Sequence, residues 1–212
     1  MLVGRVVRLS RSFGRTLALD TLFALFALLA AAVACRAEDL ARPLLLVASP
    51  ALQGAYSHTA LLVFPMRDQH AGFILNRSTD VKMASVFPDH PPSAKVAEPI
   101  YFGGPEMMDS LFALVRKDPG PGSVRVLNDL FVTAESDCID RIIEQTPNDA
   151  RYFAGFVGWK PGELEKEIEA GYWYAEPFDA SQAFRPDAPS MWEELVKRLG
   201  NGHPRPTDLH GA

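Results

Sequence analysis

The chain has 212 residues, 48% of them apolar and 22% charged, with a formal charge of −5. That length and balance suit one domain with a real core plus a short extra segment, and exclude a low-complexity chain. An acidic body without a Lys/Arg cluster is poorly built for nucleic acid, whose phosphates demand several neutralising cations.

Residues 1–20 hold Arg5, Arg8, Arg11 and Arg15 against a lone acid, Asp20. Thr21 to Ala34 is then uncharged and mostly apolar. The run is shorter than the roughly twenty residues of a membrane-spanning helix. It matches the apolar part of a secretory leader, about 7–15 residues long. Ala32, Val33 and Ala34 offer the small residues a leader peptidase needs, and Ala37 offers a second cut. Residues 1–37 are therefore read as a signal peptide or an N-terminal membrane anchor, and an exported protein is expected. The plain alternative is a mis-assigned start upstream of a cytosolic protein. Loss of residues 1–34 removes a net +3 and takes the charge from −5 to −8. Ala32-Val33-Ala34-Cys35 is similar to a lipoprotein cleavage box. Lipidation of Cys35 would tether the domain to a membrane without a spanning helix.

Leu44 to Ser49 reads as a first strand ended by Pro50, and His58 to Phe64 as a second stopped by Pro65. Met66 to Gln69 suits a hairpin loop before a third strand, Ala71 to Leu75. Thr79 can cap a short helix through Phe87, and Pro88 to Glu98 is a Pro-rich loop. Ile100 to Phe102 and Ser110 to Arg116 read as strands around the Gly103-Gly104-Pro105 turn. Asp118 to Gly122 is another turn, followed by short strands at Val124 to Leu127 and Leu130 to Thr133. Ser136 can cap a helix from Asp137 to Gln145, whose Cys138, Ile139, Ile142 and Ile143 share a face. Tyr152 to Val157 is a buried strand with a sharp exit at Gly158. Pro161 fits the first turn of a helix with Leu164 and Ile168 inward. A last helix begins at Pro189, presents Trp192, Leu195, Val196 and Leu199 on one face, and ends at Gly200. Residues 201–212 form a mobile tail. Short adjacent strands with helices added late give an α+β class, single-domain over 42–200.

Gly72-Phe73-Ile74-Leu75-Asn76-Arg77, then Tyr101-Phe102-Gly103-Gly104-Pro105, then the run from Gly155 to Ile168 (GFVGWKPGELEKEI) form an ordered trio. The trio resembles the bacterial YqgE/AlgH family, over about Leu44 to Leu199. The resemblance implies a bent, partly barrel-like mixed sheet of short strands with flanking helices. It brings no established chemical activity, although part of the family is named for transcriptional regulation. The family usually carries Phe near Tyr56, Gln near Glu163 and a small or apolar residue near Glu106. It also usually lacks a leader and is cytosolic.

Chemistry-bearing residues are few. Cys138 on an apolar helix face reads as a packing residue, since thiolate chemistry needs exposure and a cationic neighbour. The histidines, His58, His70, His90, His203 and His210, lack zinc-like spacing, and no CxxC or HExxH occurs. His58 and His70 are expected to face solvent. Ser49 and Ser57 lack a GxSxG setting. No motif for a cofactor is present. Glu163, Glu165, Glu167 and Glu169 read as a solvated helix face. Gly103-Gly104 reads as close backbone passage, and Asn76 as a left-handed turn bonded to local backbone. The rival is a cleft in which Asn76, Arg77, Gly103, Gly104 and Glu165 receive a peptide or a small anion.

The leading reading is thus a non-catalytic binding or regulatory protein acting through protein contacts in the cell envelope. A second is an enzyme or small-ligand binder using Asn76, Arg77 and carboxylates of the Glu163–Glu169 helix. A third is a cytosolic regulator with a mis-assigned start.

Overall fold

The computed structural model describes residues 40–199; the leader, Cys35, the end of the last helix at Gly200 and the tail lie outside the described residues. Nine strands form one curled sheet of half-barrel shape: β1 (Leu44–Ala48), β2 (Ala60–Met66), β3 (Gln69–Ile74), β4 (Tyr101–Phe102), β5 (Glu106–Arg116), β6 (Val124–Leu127), β7 (Leu130–Thr133), β8 (Ala150–Trp159) and β9 (Trp173–Pro177). The helices are α1 (Met83–Val86), α2 (Ser136–Gln145), α3 (Glu163–Glu169) and α4 (Met191–Leu199). Across the sheet the order is β6-β7-β5-β8-β3-β2-β1-β9, with β4 lying parallel beside β8 and the other pairs antiparallel. The class is α+β, as the pattern of short strands and late helices implies. Among the described residues no helix is long and apolar enough to cross a membrane.

β1 and β2 are continuous apolar runs because both their faces are covered. Leu45, Val47 and Leu62 join Phe73, Phe153 and Tyr174 in one cluster under α4. Leu44, Leu46 and Leu61 join Trp159, Leu164 and Trp173 in a second, closed by α3. A third holds Ala113, Val115 and Tyr152 against the apolar face of α2. Cys138 is 1% exposed there and packs as expected.

β8 ties the halves together. Ala150 to Ala154 pair with β5, whereas Val157 to Trp159 pair with β3. Between them Gly155 takes φ +70, and Gly103 and Gly104 cross directly over it. A Cβ on Gly103 would lie 2.2 Å from the Gly155 carbonyl oxygen, and one on Gly104 2.2 Å from that of Phe156. Gly103 N–H donates to Ala154 O, and Ile74 N–H donates to Gly103 O. The Gly-Gly pair is thus a backbone crossing that admits no side chain.

Arg151 is 1% exposed. Its Nε and Nη2 donate to the Glu98 carboxylate, Nη1 to Ala183 O and Nη2 also to Arg185 O. Its guanidinium sits 4.4 Å over the Tyr101 ring. One buried cation thereby fastens the segment before α4 to the sheet through four hydrogen bonds, as burial of a charge demands.

Several local expectations are corrected. Pro65 does not stop β2: it pairs with His70, where β1 no longer reaches and no second partner needs its missing N–H. Met66 and Gln69 close a two-residue turn, with Arg67 at φ +61. Thr79 caps no helix; its Oγ1 donates to Ile100 O and accepts from Val81 N–H, and α1 is a single turn. Ser136 begins α2 without capping it, and Thr133 Oγ1 accepts the Glu135 N–H just before it. β8 runs through Gly158 to Trp159, and the sharp exit falls at Gly162, φ +78, so Pro161 precedes α3 instead of opening it.

Gly104→Ala should lower the unfolding free energy by about 3 kcal/mol or more, because backbone atoms and not a flexible side chain stand in the way. Urea titration that finds a loss under about 0.5 kcal/mol would show that the crossing relaxes freely.

Candidate functional site

Asn76 continues the β2–β3 ladder after the backbone has left it. Its Oδ1 accepts the Ala60 N–H at 2.9 Å and its Nδ2 donates to His58 O at 2.9 Å. The left-handed turn expected there does not form; the left-handed non-glycine residues described are His58, Arg67, Met107 and Lys117. Asn76 bonds instead to the neighbouring strand, because an amide carries both a donor and an acceptor and can stand in for a peptide group. Arg77 Nη2 donates to Ser57 O at 3.1 Å, while Arg77 O accepts the Phe102 N–H.

The first polar cluster gathers around Tyr56. Burial pushes its phenol above the ordinary 10.0, the carboxylates of Glu106 and Glu167 push the same way, and Arg77 opposes them. Burial also holds the Arg77 guanidinium below its usual value, partly offset by Tyr56. Glu167 Oε2 accepts hydrogen bonds of 2.8 Å from both Trp159 Nε1 and Trp173 Nε1. Residues from all three sequence motifs, Arg77, Glu106 just past Gly104-Pro105, and Trp159 with Glu167, therefore meet here.

The solvated-face reading of the glutamates holds only in part. Glu163 is exposed, and its Oε2 accepts the Lys160 N–H. Glu165 and Glu167 are half-buried, and Glu165 Oε2 is enclosed with no hydrogen-bond partner among the described residues. Glu167 turns inward because two buried indoles need an acceptor. The tryptophans flanking the helix were the available signal. Tyr56 and Glu106, both departures from the usual family residues, carried none as site residues. Of the expected cleft residues, Arg77 lies close enough to Tyr56 to act on it, as does Glu167 of α3, whereas nothing links Glu165 to Arg77. Asn76, Gly103 and Gly104 are engaged in the backbone. His70 is half-buried, with Nε2 at 3.0 Å from Leu40 O, and does not simply face solvent. His58 is exposed, with its ring edge-on to Trp192 at 4.1 Å. Among the described residues no three His, Cys, Asp or Glu side chains group as a metal ion would need.

The second feature is a groove of about 600 Å³ between β5 and α2. Ser110 and Leu111 line it from β5, Ile139 and Ile143 from α2, and Phe87 from the loop after α1. β5 is irregular here: its register against β8 shifts between Glu106 and Leu111, and Met107 takes φ +50. Met107 and Met108 of the bulge are 56% and 58% exposed, and Met107 lines the groove with Phe87, 40% exposed. Asp109 and Asp140 also line the groove, and neither forms an ion pair among the described residues. Sequence reading did not single out this groove; the adjacent Met107-Met108 at the start of a strand was the only cue.

A family model described as AlgH-like matches residues 45–203. The chain belongs to the AlgH-like family. A UPF0301 protein of Chlorobium limicola is 30% identical over 169 residues, covering 76% of this chain and 89% of that one. Another, from Chlorobaculum tepidum, is 29% identical and covers 74% and 85%. The AlgH-like fold is shared with a crystal structure from Corynebacterium diphtheriae, TM-score 0.62 at 24% identity over 81% and 92% of the chains. The solution structure of the AlgH protein from Pseudomonas aeruginosa gives 0.61 at 20% identity over 82% and 94%.

Alkaline titration followed by tyrosinate absorbance should place Tyr56 above 10.0, and Glu106→Gln should lower it without bringing it to 10.0, since burial is the larger cause. The folded state keeps a proton that the unfolded state releases near 10.0. Stability from this group is therefore full below that pH and declines as pH rises past it. Tyr56→Phe should flatten the decline. An unmoved Tyr56 midpoint in Glu106→Gln would remove Glu106 from the cluster.

Proposed function

We propose that this AlgH-like protein is a non-catalytic binding or regulatory protein that acts through protein contacts in the cell envelope. The observation that carries the reading is the pair Phe87 and Met107, both exposed and both lining the groove between β5 and α2. Large apolar side chains gathered at a recess mark a contact surface more than scattered ones do. Methionines suit such a surface because their unbranched side chains adapt to what they meet. The arginine-rich start, apolar run and small-residue cleavage box of residues 1–37 support the envelope setting.

A second reading is favoured by the Tyr56 cluster, where half-buried Arg77 and the carboxylates of Glu106 and Glu167 all act on a half-buried phenol. It makes that cluster a small-ligand site. Arg77→Gln should then abolish ligand binding while Phe87→Asp leaves it intact.

A photo-crosslinking amino acid placed at Met107 in the native host should give discrete protein adducts, and one at Val124, 63% exposed on an edge strand, should not. Equal adducts from both positions would remove the groove from the reading. Intact mass from membrane and soluble fractions tests the setting. A chain starting at Cys35 or Glu38 is expected, with acyl mass on Cys35 if it is lipidated, whereas a full-length or internally started soluble chain would return the protein to the cytosol.

A further inference from the structure

We propose that the groove beside α2 takes an extended polypeptide segment carrying a Lys or Arg close to a large apolar residue, held partly by strand addition to β5. The inference rests on the protein-binding reading and names the chemistry of the partner.

The first argument is the free edge. β7 accompanies β5 only as far as the Ala113–Thr133 pair, after which the chain leaves through Ala134 into α2. β8 still pairs Leu111 and Phe112 on the other side. From Phe112 back to the bulge, β5 therefore has a strand on one side only among the described residues. An unaccompanied strand side offers N–H and C=O groups to an incoming chain. The groove runs along this same stretch, with Ser110 and Leu111 on the β5 side and Ser136 and Ile139 on the α2 side. A segment laid in it can gain main-chain bonds and apolar contact together.

The second argument is charge. Asp109 of the bulge and Asp140 of α2 are both exposed and stand on the two sides of the groove. No cation answers them among the described residues. The basic group that lines the groove is His90, whose Nδ1 is already 2.9 Å from Ser93 Oγ. A Lys or Arg on the incoming segment would meet two free carboxylates beside an apolar recess. The full-chain charge of −5, or −8 without residues 1–34, acts in the same sense. An acidic segment, a phosphate backbone or an anionic lipid surface would be repelled. Exposed carboxylates contribute little binding energy each, so they choose the partner, while Phe87, Met107 and the two isoleucines supply the apolar anchor.

The test is selection of short random displayed peptides on the full chain, followed by affinity measurement of the enriched ones. Enriched peptides should place Lys or Arg within two positions of a large apolar residue. Asp109→Asn with Asp140→Asn should weaken them roughly three- to tenfold and reduce the salt dependence. N-methylation of the peptide main chain at its centre should abolish binding. Both aspartates are exposed, so the double variant is expected to fold, and its urea midpoint checks this. Peptides that are lost in Phe87→Asp/Met107→Asp but show no Lys/Arg enrichment would overturn the inference and leave the protein-binding reading standing. Groove-dependent peptides indifferent to N-methylation would overturn strand addition. No enrichment at all, or enriched peptides indifferent to the groove variant, would overturn both.

Discussion

Everything in this fold depends on two peptide backbones passing within contact distance at Gly103-Gly104 and Gly155. β8 must serve β5 with its first half and β3 with its second, and the sheet must curl between them. Gly155 at φ +70 provides the turn of direction, and the missing side chains of Gly103 and Gly104 provide the clearance. At that crossing β4 lies parallel along β8, Ile74 N–H donates to Gly103 O, and Glu106 emerges where the β5 bulge begins. The crossing therefore positions both candidate surfaces. It sets Glu106 beside Tyr56 on one side of the sheet and projects Met107 and Met108 from the other end of the same short segment.

Polar groups inside the molecule follow one rule: each buried donor is matched. Arg151 uses Glu98 and two carbonyls, the two indoles of Trp159 and Trp173 share Glu167, and the Asn76 amide completes a ladder. Such satisfied networks specify one arrangement of the segments they join. Glu165 Oε2, Ser49 Oγ and His70 Nδ1 depart from the rule among the described residues.

Much of the architecture was legible in the sequence. Val124 to Leu127 and Leu130 to Thr133 form with the bounds read for them after the Asp118–Gly122 turn, and the apolar stripe of α2 is buried residue for residue. Failures cluster where a local signal met a tertiary one. Pro65 reads as a stop because proline lacks an N–H, but only a folded sheet reveals that nothing there requires it. Gly158 reads as an exit because glycine permits turning, yet β3 pairing keeps it extended. The Glu163–Glu169 run reads as a solvated face because charge alternates along it. What turned Glu167 inward was a pair of tryptophans from strands on either side of the helix. The groove was least legible of all, since it is made by where β7 stops, which no local residue pattern encodes.

The sheet closes late. β1, at the start of the described chain, is buried on both faces and takes its second partner only when β9 pairs Leu44 to Ala48 with Pro177 to Trp173. Trp192 then reaches back to Ala48 O from α4. Until nearly the whole domain has emerged, β1 is an apolar strand with one side bare, the kind of edge that invites wrong pairing. A chain threaded through a membrane from its N-terminus would present that strand first and its partner last. For such a chain the interval between them is when wrong pairing competes hardest with closure of the sheet.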